Sequence, residues 1–124
     1  MIAGIGVDVI HVNRMKRWLE IPGLLERFFP DELIAALAKG TSADLSLAAR
    51  FAAKEAFGKA LGRGLQGIVL KDIMVKNRHN GQPEILVSGT ALAALKDCGA
   101  ERIHVSLTHE RDNAIAMVVL ENEI

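Results

Sequence analysis

The sequence predicts an α+β fold: one compact domain, residues 1–124, with antiparallel hairpins and one long helix. Three observations lead to this prediction. The chain length suits a single domain. Four apolar, β-branched segments in the C-terminal half fall into two pairs, each joined by a short polar turn, as in hairpins. Between the first strand and these hairpins, residues 43–61 form a long proline-free stretch typical of a helix.

The first predicted elements are a strand and a helix. Residues 2–10 are β-branched with small interruptions, which favours a buried strand. From about Asn13 apolar side chains recur at helical spacing, and Pro22 and Gly23 end that helix.

Two further helices are predicted before the hairpins. Pro30 lies at the first turn of one, which runs to about Lys39 and ends at Gly40. The longest helix covers about 43–61 and is followed by Gly62. Its N-terminal cap is predicted among three residues: Thr41, Ser42 and Asp44.

The C-terminal half predicts two hairpins separated by a short helix at about 90–97. Asn80 and Gly81 form a strong turn signal in the first hairpin. The four strands are predicted at 68–77, 84–88, 103–109 and 114–121.

Small residues mark two places where backbones approach closely. Gly4 and Gly6 lie within the first strand and lack the third glycine of a dinucleotide-binding loop, so we expect them to permit close backbone approach. Alanines along the long helix form a face against which another element can pack closely: Ala49, Ala52, Ala53, Ala56 and Ala60.

Composition excludes several classes of protein. Fifteen basic residues balance fifteen acidic ones, so no nucleic-acid partner is expected. The longest uncharged run, 85–95, is shorter than the roughly 20 residues that a membrane span needs. The N-terminus has no basic leader, and the single cysteine, Cys98, cannot form an internal disulfide. These features predict a cytoplasmic protein without a membrane partner.

The long helix carries charged residues in an otherwise apolar segment. Glu55 and Lys59 lie one turn apart, and Arg50 and Lys54 do so on a neighbouring side. One interpretation is that these are ordinary surface pairs. The other is an anionic ligand, with a metal between it and Glu55, because desolvated charges need partners.

Two further segments carry candidate functional residues. Asp8 ends an apolar strand, where it either caps the next helix or binds a metal. In the strand 103–109, Thr108 shares a face with His104 and Ser106, whereas His109 lies on the other face. His109 is either a structural histidine, whose hydrogen bonds are made within the protein, or a functional one.

Three motifs together resemble the holo-[acyl-carrier-protein] synthase family, the small bacterial 4′-phosphopantetheinyl transferases. They are GIGVDVI (4–10), RFAAKEAFGKALGRG (50–64) and HVSLTHE (104–110). The resemblance implies the 4′-phosphopantetheinyl transferase fold and transfer of phosphopantetheine from coenzyme A to a serine of apo acyl carrier protein. This reaction releases adenosine 3′,5′-bisphosphate and supports fatty acid biosynthesis.

The resemblance also implies the site residues. Asp8 and Glu55 match the ligands of Mg²⁺, for which Mn²⁺ can substitute. Glu55, Lys59 and His109 match catalytic positions, with Glu110 as an alternative to His109. Glu55 is expected to receive the serine proton, either directly or through a metal-bound water. The residues expected at coenzyme A are Arg50, Lys54, Lys59, Gly62, Thr108 and His109.

The same resemblance implies partners. Family members dock acidic acyl carrier proteins on the first helix, where the matching residues here are Arg14, Met15, Arg17 and Trp18. A solvated charged face is the other interpretation of this helix. The family forms homotrimers with active sites between subunits. Two other functions stay open: a nucleotide- or coenzyme A-binding regulatory module without transfer, and a structural trimer.

Overall fold

The computed structural model describes residues 1–38 and 43–123, and it confirms the predicted α+β class. Two of the candidate caps, Thr41 and Ser42, lie outside the described residues, as does the predicted helix end at Lys39 and Gly40. The elements follow in the order β1 (Ile2–His11), α1 (Val12–Leu19), α2 (Leu24–Phe28), α3 (Pro30–Leu37), α4 (Ala43–Ala60), β2 (Ile73–Asn77), β3 (Pro83–Val87), α5 (Gly89–Asp97), β4 (Arg102–Glu110) and β5 (Asn113–Glu121).

The strands form two antiparallel sheets. One has three strands in the order β1-β5-β4, and the other is the hairpin β2-β3. In the larger sheet Ala116 of the central strand lies between Asp8 of β1 and Leu107 of β4. Strand β1, which carries the GIGVDVI motif, and strand β4, which carries the HVSLTHE motif, therefore lie on either side of β5. No helix within the described residues is long and apolar enough to cross a membrane.

Helix α4 packs closely against one face of β1, as the small residues predict. A Cβ atom on Gly4 would overlap the carbonyl oxygen of Ala60, and one on Gly6 would overlap that of Ala56. Only glycine therefore fits at these two strand positions. The alanines of α4 that lie buried along this contact allow the strand and helix backbones to touch.

The other face of β1 is exposed, so the prediction of a buried strand was half wrong. Side chains alternate across a strand, and α4 covers only one side of the sheet. The apolar strip consists of Ile5, Val7, Val9 and Met117, whose side chains are 45–56% exposed. Val7 pairs with Met117 across the sheet, so these residues form one continuous patch.

The larger differences from the predicted elements lie at three places. The five-residue helix α2 was missed, because it is too short to show periodicity. The strand predicted from residue 68 begins only at Ile73, after a single 3₁₀ turn over 70–72. Asp72 ends this turn by accepting hydrogen bonds from the backbone N–H and hydroxyl of Thr90. Asp44 lies within the first turn of α4 rather than before it.

Candidate active site

Strand β1 and helix α4 bring Asp8 and Lys59 into contact. Asp8 shares the face of β1 that carries Gly4 and Gly6, so it points towards α4. The Lys59 Nζ atom lies 2.7 Å from Asp8 Oδ1, and it also donates to the carbonyl oxygen of Val7 at 3.2 Å. The Lys59 side chain remains 52% exposed, so this cation lies at the mouth of the site.

Glu55 lies one helical turn before Lys59 and shares this neighbourhood. Burial raises the pKa of Glu55, and the negative charge of Asp8 raises it further. The positive charges of Arg14 and Lys59 act on the pKa in the opposite direction. The charge of Asp8 therefore reaches Glu55 in the folded chain, although the two residues lie far apart in the sequence, and cations lie beside both.

One oxygen atom of these two carboxylates is left without a partner in the part of the chain that the structure describes. Asp8 Oδ2 is buried and has no hydrogen-bond partner among the described residues. Two neighbouring carboxylates repel each other, and a bound cation removes that repulsion. The described residues contain no cluster of three or more His, Cys, Asp or Glu for a metal. A magnesium ion, which takes one or two carboxylates with phosphate oxygens and waters, matches this donor set.

Arg50 and His109 meet in a separate place. They line a cavity of about 230 Å³ between the start of α4 and the ends of β2 and β4. Arg50 is 7% exposed and donates to the backbone and hydroxyl oxygens of Ser46 one turn earlier. Its Nε atom is buried without a partner among the described residues. Burial lowers the pKa of Arg50, and the nearby charge of Glu32 opposes this effect.

Two residues of this cavity, Ser46 and Asn77, were missed by the sequence analysis. Ser46 precedes Arg50 by one turn, a spacing that could have identified it as a partner of the guanidinium group. Asn77 ends the first strand of a hairpin and carries no comparable signal. Thr108 is exposed next to His109, and strand alternation points it to the opposite face of the sheet.

The structure contradicts the prediction that Lys54 binds coenzyme A. Its side chain is fully buried, and Nζ lies 3.0 Å from Glu32 Oε1. The same nitrogen donates to the carbonyl oxygens of Phe28 at 3.1 Å and Leu70 at 3.0 Å. These three acceptors use all three ammonium protons, so none remains for a ligand. Burial lowers the pKa of Lys54, and Glu32 opposes this change.

Helix α1 places its predicted docking residues in different environments. Met15 is fully buried in the core, so its predicted contact with a partner was wrong. Arg14 and Arg17 are exposed, and Trp18 is half-buried. The Arg14 guanidinium lies 5.1 Å from the centre of the Trp18 ring and 5.2 Å from that of Phe51. Cation–π contacts therefore hold Arg14 close to α4.

Gly62 ends α4 immediately beyond Lys59. Its φ of +83° belongs to the left-handed region that favours glycine, and its N–H bonds to the Lys59 carbonyl oxygen at 3.0 Å. The chain then folds back, and the Gly64 N–H bonds to the carbonyl oxygen of Gly58 at 3.0 Å. An exposed turn thus lies beside the Asp8–Lys59 pair.

A family model described as the 4′-phosphopantetheinyl transferase superfamily matches residues 4–118. The chain belongs to this superfamily. A holo-[acyl-carrier-protein] synthase of Treponema denticola is 55% identical over 122 residues, which cover 98% of this chain and 99% of the relative. The predicted family resemblance is confirmed, and so is the prediction of a phosphopantetheinyl transferase enzyme.

Solved structures of the same family have the same fold. The crystal structure of the Neisseria meningitidis holo-[acyl-carrier-protein] synthase has a TM-score of 0.86 and 31% identity, and the match covers 98% of this chain and 100% of that one. A Bacillus anthracis synthase in complex with CoA (3′,5′-ADP) has a TM-score of 0.82 and 35% identity, with 99% of each chain covered.

Proposed function

We propose that this chain, as a single domain spanning 1–124, transfers 4′-phosphopantetheine from coenzyme A to a serine of apo acyl carrier protein. The reaction releases adenosine 3′,5′-bisphosphate and supports fatty acid biosynthesis in the cytoplasm. Relatives named for this synthase activity, and a similar structure in complex with coenzyme A, support the substrate pair. The observation that carries the proposal is the Asp8–Glu55 carboxylate pair with Lys59 beside it.

Asp8 and Glu55 would hold Mg²⁺, with Mn²⁺ as a possible substitute. When bound, the ion supplies positive charge that stabilises the departing bisphosphate. Asp8 has an oxygen atom available for this task, because only Oδ1 is engaged by Lys59. Lys59 keeps one of its three ammonium protons for a phosphate oxygen, since two are donated to Asp8 and Val7.

Glu55 is the proposed acceptor of the proton from the attacking serine. Its raised pKa makes it a stronger base than an ordinary glutamate. A carboxylate that also binds a cation is a weaker base, so we favour transfer through an intervening water. Gly62 and the turn that follows it lie beside Lys59, where the phosphates of coenzyme A would pass.

Arg50, Thr108 and His109 are proposed to bind the nucleotide part of coenzyme A. Arg50 and Glu55 are five residues apart on α4, which corresponds to about 140° around the helix axis. One chain therefore presents its nucleotide-binding cavity and its carboxylate pair in different directions. Placing the active site between subunits resolves this, since one chain can supply the cavity and its neighbour the carboxylates.

The exposed strip of Ile5, Val7, Val9 and Met117 supports assembly, because apolar patches of this kind mark protein interfaces. We propose a homotrimer, with the number of subunits taken from the family resemblance.

Helix α1 is the proposed docking surface for the acidic acyl carrier protein, because it presents exposed cations beside an aromatic ring. The docking residues would be Arg14, Arg17 and Trp18.

Mass spectrometry tests the activity. The chain is mixed with apo acyl carrier protein, coenzyme A and Mg²⁺, and the acceptor is expected to gain the mass of phosphopantetheine. Replacing Mg²⁺ by a chelator should abolish the gain. An acceptor that stays unmodified with both Mg²⁺ and Mn²⁺ would contradict the proposed function.

Mixed oligomers test the location of the active site. Glu55→Gln chains and His109→Ala chains are each expected to be nearly inactive. If the site lies between subunits, mixing and reassembling the two variants should restore part of the activity, because some interfaces then combine an intact Glu55 with an intact His109. A mixture no more active than its parents would contradict the shared site, and an active His109→Ala parent would remove His109 from it.

A further inference from the structure

Lys54 and Glu55 are neighbours on α4 but face different surroundings. Successive residues of a helix lie about 100° apart around its axis. Lys54 points into the interior, whereas Glu55 is half-buried beside Asp8. Any rotation of α4 about its axis that moves Lys54 therefore moves Glu55 relative to Asp8.

The ammonium group of Lys54 is anchored by three separate segments. It contacts Glu32 of α3 at 3.0 Å, the Phe28 carbonyl oxygen of α2 at 3.1 Å and the Leu70 carbonyl oxygen of the 3₁₀ turn at 3.0 Å. Glu32 itself is 4% exposed and accepts the backbone N–H of Val75 at 3.3 Å. The pair thus connects α4 to the helices and hairpin on the side away from β1.

The contact between α4 and β1 specifies distance better than rotation. Apart from the exposed Lys59 side chain, which bonds to Asp8 and Val7, its closest approaches are glycine against alanine, at Gly4 with Ala60 and at Gly6 with Ala56. Such small groups offer no projecting side chain to fill a matching recess. Hydrogen bonds depend on direction as well as distance, so three of them at one atom restrict rotation strongly.

We propose that Lys54 and Glu32 form a positioning pair that sets the rotation of α4 and thereby holds Glu55 opposite Asp8. The expected effect on metal binding rests on the proposed function. The pair touches neither substrate nor metal, and it acts through Glu55.

The test uses a double variant that removes both charges. Lys54→Met alone leaves the Glu32 charge buried without a partner and is expected to fold poorly. Glu32→Gln/Lys54→Met removes both charges of the pair, and the glutamine can still accept the Val75 N–H. The matched control is Arg78→Met/Glu84→Gln, which removes an exposed ion pair of 3.1 Å between Arg78 Nε and Glu84 Oε2 in the β2-β3 hairpin.

Two readouts are compared in folded protein at a temperature well below each melting transition. The first is Mn²⁺ affinity in the presence of coenzyme A, measured by electron paramagnetic resonance. We expect it to weaken about tenfold or more in the Glu32→Gln/Lys54→Met variant, and to stay unchanged in the control. The second is a crystal structure of the double variant, in which the Asp8–Lys59 contact is expected to lengthen beyond hydrogen-bond distance.

A folded double variant with wild-type Mn²⁺ affinity and an intact Asp8–Lys59 contact would overturn the positioning role. An equal loss of affinity in the Arg78→Met/Glu84→Gln control would overturn it as well. A wild-type chain that binds no Mn²⁺ would contradict the metal site of the proposed function instead. In that case the Asp8–Lys59 distance in the double variant decides the positioning role by itself.

Discussion

Helix α4 carries two lysine–carboxylate pairs that differ in their surroundings. Lys54 and Glu32 lie 3.0 Å apart, with side chains that are 0% and 5% exposed. Lys59 and Asp8 lie 2.7 Å apart, with side chains that are 52% and 14% exposed. The inner pair connects five segments of the fold, whereas the outer pair lies at the edge of the molecule beside Glu55.

The difference lies in how completely each pair is satisfied. Lys54 donates to three acceptors and has no proton left for another. The outer pair leaves Asp8 Oδ2 buried without a partner among the described residues, and it has a second carboxylate beside it. The inner pair therefore has no donor left for a ligand, whereas the outer site has an acceptor and a proton that are still free within the described residues.

The largest effect on activity is expected at the outer site. Glu55→Gln removes the proposed base and metal ligand, so transfer to apo acyl carrier protein should fall by about 10²–10⁴-fold or more. Mass-based rate measurements check this. Without metal, the Glu55→Gln variant should melt at or above the melting temperature of the wild-type chain, because the repulsion between the Glu55 and Asp8 carboxylates has been removed. A fully active Glu55→Gln chain would refute the assignment.

The largest effect on stability is expected at the inner pair. Lys54→Met leaves Glu32 as an uncompensated buried charge, which should lower the free energy of unfolding by about 3–5 kcal/mol. Urea denaturation measures this loss, and adding Glu32→Gln should recover part of it. The matched change in the outer pair, Lys59→Met, should alter stability far less while impairing transfer. Equal destabilisation by both changes would remove the distinction between the pairs.

The smallest effect is expected on the docking helix. Arg17→Met should raise the KM for the acyl carrier protein several-fold at low salt and leave kcat nearly unchanged, because an exposed cation acts mainly on encounter. The difference from wild type should shrink as salt rises. Lys96→Met on α5 removes the same charge elsewhere and serves as the control. A KM that is insensitive to salt in the wild-type chain would contradict electrostatic docking.

Motif positions could be predicted from the sequence, but the orientation of individual side chains could not. Arg50 and Lys54 form a helical pair of cations, and spacing alone does not show that one lines a cavity while the other is sealed inside. The decisive partner, Glu32, lies on another helix, where acidic residues are explained equally well by the helix dipole. Only the tertiary fold brings Glu32 to Lys54.

The same limit applies to the apolar residues of the first strand and helix. Met15 and Trp18 both belong to the apolar side of α1, and only packing shows that Met15 is in the core. The residues of β1 are apolar on both faces, and this pattern predicts a strand that is buried on both sides. In the structure the outer face of β1 is exposed. The proposed interface between copies of the chain would explain why such residues are tolerated there.

The close packing of β1 against α4 also affects the distance between Asp8 and Glu55. Gly4 and Gly6 have no functional group, yet they determine how near the strand carrying Asp8 can come to the helix carrying Glu55. A single added methyl group at Gly6 would wedge the two backbones apart. The gap between the carboxylates would then widen, and the proposed metal site would be weakened with both acids still in the chain.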